Sequence, residues 1–308
     1  MRIVFMGTPE YAVHSLAAIA AAGHTVSAVF CQPDKPVGRK QILTPPPTKV
    51  YANDNGIPVY QPATLRNGEA LDILKRISPD IIVVVAYGKI LPPEILNLPR
   101  YGAINGHASL LPKLRGASPI QWAIVTGETV TGVTVMQMDE GMDTGDIINA
   151  QKVGILPDET AGELFDRLSL ITADLLVETL KAIQNGTAVF KKQESSLATY
   201  APIITKDMAH IDFSAPAKTV VNLIRGFNPW PVAYCYIDGK RYKIFTARIG
   251  DNTKAKPGTV IENGNKLVIA CGEGTAINVL TLQPEGGKAM QAAQLLKGNK
   301  LNLGTVVE

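Results

Sequence analysis

Cysteine is scarce in this 308-residue chain: Cys31, Cys235 and Cys271 are odd in number, lie far apart, and each sits in an apolar stretch. That excludes a disulfide framework and reads as three buried thiols without chemistry of their own. Zinc lacks ligands at sensible spacing, and no metal is expected. No apolar run reaches the length that spans a bilayer, and the N-terminus enters a short strand-like run without a cleavable signal pattern. A cytoplasmic protein is the expectation. Nucleotide signatures are missing too: the first turn reads Met6-Gly7-Thr8-Pro9-Glu10, with neither G-x-G-x-x-G nor a P-loop lysine. Ser109 lies close to His107 but has no G-x-S-x-G elbow around it, so a serine hydrolase is disfavoured.

What is present is an ordinary globular composition, 46% hydrophobic and 19% charged, far from the signature of disorder. The length favours two domains. Charge is unevenly spread: residues 1 to 206 carry 18 Lys+Arg against 19 Asp+Glu, while 207 to 308 carry 12 against 8. A basic C-terminal third is compatible with a phosphate-bearing partner, and such an excess is also common on solvated faces.

The first half alternates short β-branched runs with helical patterns. Ile3 to Met6, a helix from Pro9 to Ala22, Thr25 to Cys31 and Asp80 to Ala86 give a βαβ reading with a mostly parallel sheet. Thr8 suits an N-cap and Pro9 the first helical position. The run from Gln32 to Lys49 holds five prolines, which predicts a long irregular loop whose cations, Lys35, Arg39, Lys40 and Lys49, are candidates for a phosphate backbone. A helix from Ala161 to Gln184, ended by Asn185-Gly186, closes the first domain. The expected division is a catalytic domain over 1–189, a linker over 190–206, and a second domain over 207–308. The last alternates strand runs with turn signals at Asp238-Gly239 and Asn263-Gly264, which favours a small OB-like β-barrel. The fold class is therefore α/β, a Rossmann-like sheet domain followed by a small barrel.

Chemistry concentrates in Gly102 to Pro119, which starts as a strand and ends as a loop. On a strand, Asn105 and His107 are two apart and project to the same side. They stand at the C-terminal end, where open α/β sheets place ligands. Downstream, a strand candidate from Thr131 to Met138 leads into Asp139-Glu140-Gly141-Met142-Asp143-Thr144-Gly145-Asp146, a Gly-punctuated acidic loop able to bring a carboxylate to the imidazole. Its spacing is not that of a calcium loop. Amide donor, imidazole and carboxylate are the parts needed for acyl transfer to an amine. Attack makes a tetrahedral oxyanion that Asn105 and a protonated His107 stabilise, while Asp143 holds the imidazolium and helps relay a proton.

INGHASLLPKLRGASPIQ together with GMDTGD resembles the signature of the folate-dependent formyltransferases. The resemblance implies formyl transfer from 10-formyltetrahydrofolate, with Asn105, His107 and Asp143 catalytic and Ser109, Leu110, Leu111 and Pro112 lining the folate site. MGTPEYA, QPDKPVGRKQILTPPPTKV, VVVAYGKILP and FNPWPVAY are similar to the methionyl-tRNA branch of that family, and the likeness runs over nearly the whole chain. It implies initiator methionyl-tRNA as acceptor, contacted by both domains, with Arg39, Lys40 and Lys35 in the long loop as tRNA-binding cations. Two departures stand out. Gln41-Ile42 replace part of a richer basic run after Arg39, and Gly106 stands where the family more often has a larger residue. A monomer without protein partners or a membrane is what the resemblance implies. The competing readings are a formyltetrahydrofolate hydrolase or sugar-amine formyltransferase, a nicotinamide-dependent dehydrogenase, and a non-catalytic RNA-binding module.

Overall fold

In a computed structural model, which describes residues 1–38, 40–298 and 301–308, the chain forms two units, each assembled from separated segments. The first comprises 1–119, 131–154 and 165–201, the second 120–130, 155–164 and 202–308. In chain order the elements begin β1 (Arg2–Gly7), α1 (Glu10–Ala21), β2 (Thr25–Phe30), β3 (Lys35–Val37), β4 (Ile42–Thr44), α2 (Pro47–Asp54) and β5 (Val59–Tyr60). They go on with α3 (Glu69–Ile77), β6 (Ile81–Val85), α4 (Pro93–Leu96), β7 (Ala103–His107), α5 (Pro119–Val125), β8 (Val130–Gln137), β9 (Ile147–Gly154) and α6 (Ala161–Gln184). The second half supplies α7 (Ala217–Gly226), β10 (Tyr234–Ile237), β11 (Lys240–Ile249), β12 (Val260–Glu262), β13 (Leu267–Ala270), β14 (Ala276–Pro284), β15 (Met290–Gln291) and α8 (Ala292–Gly298).

The first unit is built on a seven-stranded sheet ordered β5-β2-β1-β6-β7-β8-β9. β2, β1, β6 and β7 pair in parallel, and β8 runs antiparallel to β7. A parallel strand covered on both faces reads as an unbroken apolar run, and β6, Ile-Ile-Val-Val-Val, is buried at every position. The chain leaves β1 toward β2 and returns on the other side as β6. That makes the β1–β6 boundary a topological switch point, with the C-terminal strand ends above it. The α/β architecture expected from the alternating runs is the one observed.

Two local expectations need correction. Thr8 does not cap α1. Pro9 occupies the N-cap without a side-chain bond, and the Thr8 hydroxyl instead donates to Tyr87 O at 3.2 Å and accepts from Gln32 N at 3.3 Å. The Pro-rich stretch is not irregular throughout, because β3 and β4 form an antiparallel hairpin that pairs Lys35 with Thr44 and Val37 with Ile42. A hairpin needs only half of its amides, so Pro36 is tolerated opposite Leu43.

The second unit is an antiparallel sheet ordered β10-β11-β14-β13-β12, with β15 on β14. Its interior holds an apolar cluster that includes Ile224, Ile237, Ile244, Val260, Ile269, Val279 and Leu282, with Cys235 and Cys271 acting as small hydrophobes. The chain's last residues join its two edges. Val307 bridges Ile237 on β10, Val306 bridges Thr259 beside β12, and Tyr236 and Glu308 exchange backbone bonds at 2.6 and 2.9 Å. Closing the edges in this way leaves few unpaired strand groups, as in a small barrel.

Candidate active site

β7 is the strand on which the site is built, and its glycine fixes which way the neighbours point. A Cβ on Gly106 would lie 2.7 Å from Thr172 Cγ2 and 3.3 Å from Leu176 Cδ1, so this position faces α6. Alternation along a strand then sends Asn105 and His107 to the opposite face, away from α6. A larger residue at 106 would meet a Thr172 that is itself held, since its hydroxyl donates to Leu168 O at 2.8 Å and lies 2.6 Å from the Tyr11 hydroxyl.

His107 is nearly buried, its side chain 7% exposed. Its Nε2 stands 2.9 Å from Leu114 O. A carbonyl only accepts, so Nε2 carries the hydrogen, and in the neutral ring Nδ1 keeps its lone pair. Asp143 Oδ2 is 3.7 Å from that Nδ1, outside direct hydrogen-bond length but close enough to attract an imidazolium. The carboxylate is not free to swing, because the Gly116 amide donates to Oδ2 at 2.7 Å. Asp143 adopts a left-handed φ of 55°, uncommon for a residue with a Cβ. The structure therefore brings His107 and Asp143 together although they lie on different segments. The Asn105 side chain is half-buried on the same strand face, and its amide makes no hydrogen bond to the protein among the described residues.

The loop after β7 is shaped by a threonine that the sequence did not single out. Fully buried Thr134, paired with His107 across β7 and β8, donates to Ser109 O at 2.7 Å and accepts from Leu111 N at 3.1 Å. Ser109 turns its hydroxyl to Lys113 O at 2.6 Å, Leu110 packs over Gly132, and the Leu111–Pro112 peptide is cis. So Ser109, Leu110, Leu111 and Pro112 continue directly from the end of β7, with the serine hydroxyl already engaged. Nearby, a cavity of about 540 Å³ is lined by Leu65, Arg66, Leu71, Ile90, Leu91 and Glu140, among others. None of Asn105, His107, Asp143, Ser109, Leu110, Leu111 or Pro112 lines it, although Glu140 belongs to the same acidic loop as Asp143.

The long-loop cations are divided. Lys35 and Lys40 are exposed, and Arg39 lies outside the described residues. Lys49 is not available to a phosphate backbone: its Nζ is 2.8 and 2.9 Å from the two Asp34 carboxylate oxygens and donates to Gln61 Oε1 at 2.8 Å. That lysine and the Gln61 amide hold the Asp34 carboxyl below its ordinary range. Lys89 titrates below the usual lysine range because of burial and the neighbouring charge of Lys35. Among the described residues there is no cluster suited to a metal ion, and no helix is long and apolar enough to cross a membrane.

An amide, an imidazole and a carboxylate thus stand at the C-terminal edge of a largely parallel sheet in an α/β fold. The chain belongs to the formyl transferase family: the formyl transferase domain matches residues 1–180 and the formyl transferase C-terminal domain residues 203–300. The methionyl-tRNA formyltransferase of Lachnospira eligens is 49% identical over 314 residues, covering 100% of this chain and 99% of that protein. That of Caldanaerobacter subterraneus is 47% identical over 310 residues and covers both chains completely, 100% of each. Among solved structures, an N-formyltransferase from Helicobacter canadensis, in complex with folinic acid and dTDP-3-aminofucose, superposes with a TM-score of 0.67. It is 23% identical and covers 90% of this chain and 98% of its own, a likeness of fold.

Proposed function

We propose that this protein transfers the formyl group of 10-formyltetrahydrofolate to the free α-amino group of initiator methionyl-tRNA, giving N-formylmethionyl-tRNA for the start of translation. The observation that carries the reading is the pairing of His107 with Asp143 beside an Asn105 amide that makes no hydrogen bond to the protein among the described residues. The acceptor is supported by relatives of that name that match over the full length at 49% and 47% identity.

In this reading the donor is a substrate consumed in each turnover. Ser109, Leu110, Leu111 and Pro112 form the wall beside which it lies. As the amine adds to the formyl carbon, negative charge builds on the formyl oxygen, and the Asn105 Nδ2 hydrogens and a proton on His107 stabilise it. Leu114 O holds Nε2–H, so Nδ1 is the atom that gains and loses a proton. Asp143, fixed by the Gly116 amide, favours the charged ring and takes part in removing the proton that the amine must shed. The intermediate then collapses with cleavage of the bond from the formyl carbon to N10, and tetrahydrofolate leaves with a proton delivered to N10 through His107, so no covalent bond to the enzyme is required. Lys35, Arg39 and Lys40 of the long loop and the basic barrel, residues 207–308, contact the tRNA backbone, while residues 1–189 carry the catalysis and 190–206 link the two. The protein acts in the cytoplasm as a monomer.

The deciding experiment offers 10-formyltetrahydrofolate together with initiator methionyl-tRNA, elongator methionyl-tRNA, or a nucleotide amino sugar. Formylation of the initiator in preference to the other two is the expected result. Preference for the amino sugar, or release of formate with no acceptor consumed, would overturn it.

A further inference from the structure

We infer that Gln193 is a positioning residue for the transfer chemistry, holding the Asp143 loop in register with the end of β7. The inference rests on the reading of Asp143 and His107 given above. Gln193 lies in a polar stretch that looks in sequence like a plain connection. Its Nε2 donates to two backbone carbonyls of the acidic loop, Asp143 O at 2.9 Å and Gly145 O at 2.8 Å. Its Oε1 accepts from Arg115, at 3.2 Å from Nε and 2.8 Å from Nη2. The amide can sit only one way round, because reversing it would point an oxygen at two carbonyls and an NH₂ at a guanidinium.

Arg115 is 3% exposed and belongs to the loop that supplies Leu114 O to His107 and Gly116 N–H to Asp143. The following residues of the same stretch brace this loop from the other side. Thr199 Oγ1 accepts from Leu114 N at 2.9 Å, Thr199 O accepts from Arg115 N at 2.9 Å, and Ala201 N donates to Arg115 O at 2.8 Å. The approach is close enough that a Cβ on Gly116, at φ 119°, would fall 2.7 Å from Ala201 O. Segment 193–201 is thus a strap across both loops, and among the described residues Gln193 supplies its side-chain bonds to the Asp143 turn itself. The need for such a tie follows from the turn. A non-glycine residue at φ 55° is strained and persists where its surroundings hold it.

The test compares Gln193→Glu and Gln193→Ala with the wild type. Glutamate keeps an acceptor for Arg115, now as an ion pair, but cannot donate to Asp143 O or Gly145 O. If the strap positions Asp143, both variants lose kcat by ~10-fold to 100-fold while KM for donor and for tRNA and the melting temperature of the Glu variant stay near wild type. The Gly116 amide proton supplies a readout independent of turnover. Its resonance is displaced downfield by the charged bond to Asp143, and in Gln193→Glu it should move toward its position in Asp143→Asn. Wild-type kcat in Gln193→Glu with an unmoved Gly116 resonance would overturn the inference. A wild-type protein that formylates no methionyl-tRNA, with Gly116 still moving in the variants, would sink the reading of the reaction and leave the strap standing.

Discussion

The end of β7 and the β3–β4 hairpin are both short, yet they are held in opposite ways. Around His107 nearly every polar atom has a fixed partner: Leu114 O on the ring, Gly116 N–H on Asp143, Thr134 across Ser109 and Leu111. Among the described residues the hairpin has its own ladder and little else, and it leaves Val37, Ile42 and Leu43 more than half exposed beside Lys35 and Lys40. Chemistry that needs atoms placed within a fraction of an ångström sits where the scaffold over-determines them. A surface that meets a large, charged partner, the role proposed for the hairpin, can be held loosely, because its ordering is completed on binding.

The largest effect should come from the rigid side. Replacing His107 or Asp143 by alanine is expected to lower kcat by ~10²-fold to 10⁴-fold, and Asn105→Ala by ~10²-fold to 10³-fold, with tRNA affinity within about twofold of wild type. Steady-state kinetics alongside filter binding checks this. Equal losses of binding and turnover would erase the contrast between the two regions.

Packing behind the strand should give the next largest change. Gly106→Ala forces a Cβ against Thr172 Cγ2 and is expected to cost roughly 1–3 kcal/mol of stability. Adding Thr172→Ser removes that methyl while keeping the hydroxyl that meets Tyr11, and should recover most of the loss. Denaturant titration of the single and double variants measures the coupling, and additive costs would show that the contact at Gly106 is not the cause.

On the loosely held side, Lys35→Ala and Lys40→Ala should leave kcat at saturating tRNA unchanged. Each should reduce the slope of log affinity against log salt by about one. A salt-independent affinity in the wild type would remove the hairpin from the tRNA interface altogether. The smallest effect expected is on folding from Ile42→Ser, whose side chain is 61% exposed: the midpoint of thermal unfolding should correspond to a change within about 0.5 kcal/mol. A larger loss would mean that the hairpin is packed more firmly than its exposure indicates.

Much of the architecture was legible because it is written in local periods. α6 begins and ends at Ala161 and Gln184 as the helical pattern and the Asn185-Gly186 stop require, and β7 shows the period-two spacing that puts Asn105 beside His107. The hairpin was hidden by its prolines, which advertise irregularity although Pro36 costs this ladder nothing. Thr8 looked like a cap because its own neighbours are all that a cap needs, and its hydroxyl went instead to Tyr87, 79 residues away. Lys49 looked like a free cation until Asp34 and Gln61 were seen folded onto it.

The same division runs through the site. The sequence by itself determined the kinds of group present, Asn105 and His107 on one strand face and a carboxylate on a Gly-punctuated turn, because side-chain alternation and turn chemistry depend on nearest neighbours along the chain. Only the tertiary structure decided which ring nitrogen of His107 is held, which atom fixes Asp143, and that Gln193 spans the two loops. Those choices are made by bonds between residues 7 to 78 positions apart, where distance along the chain carries no trace of distance in space.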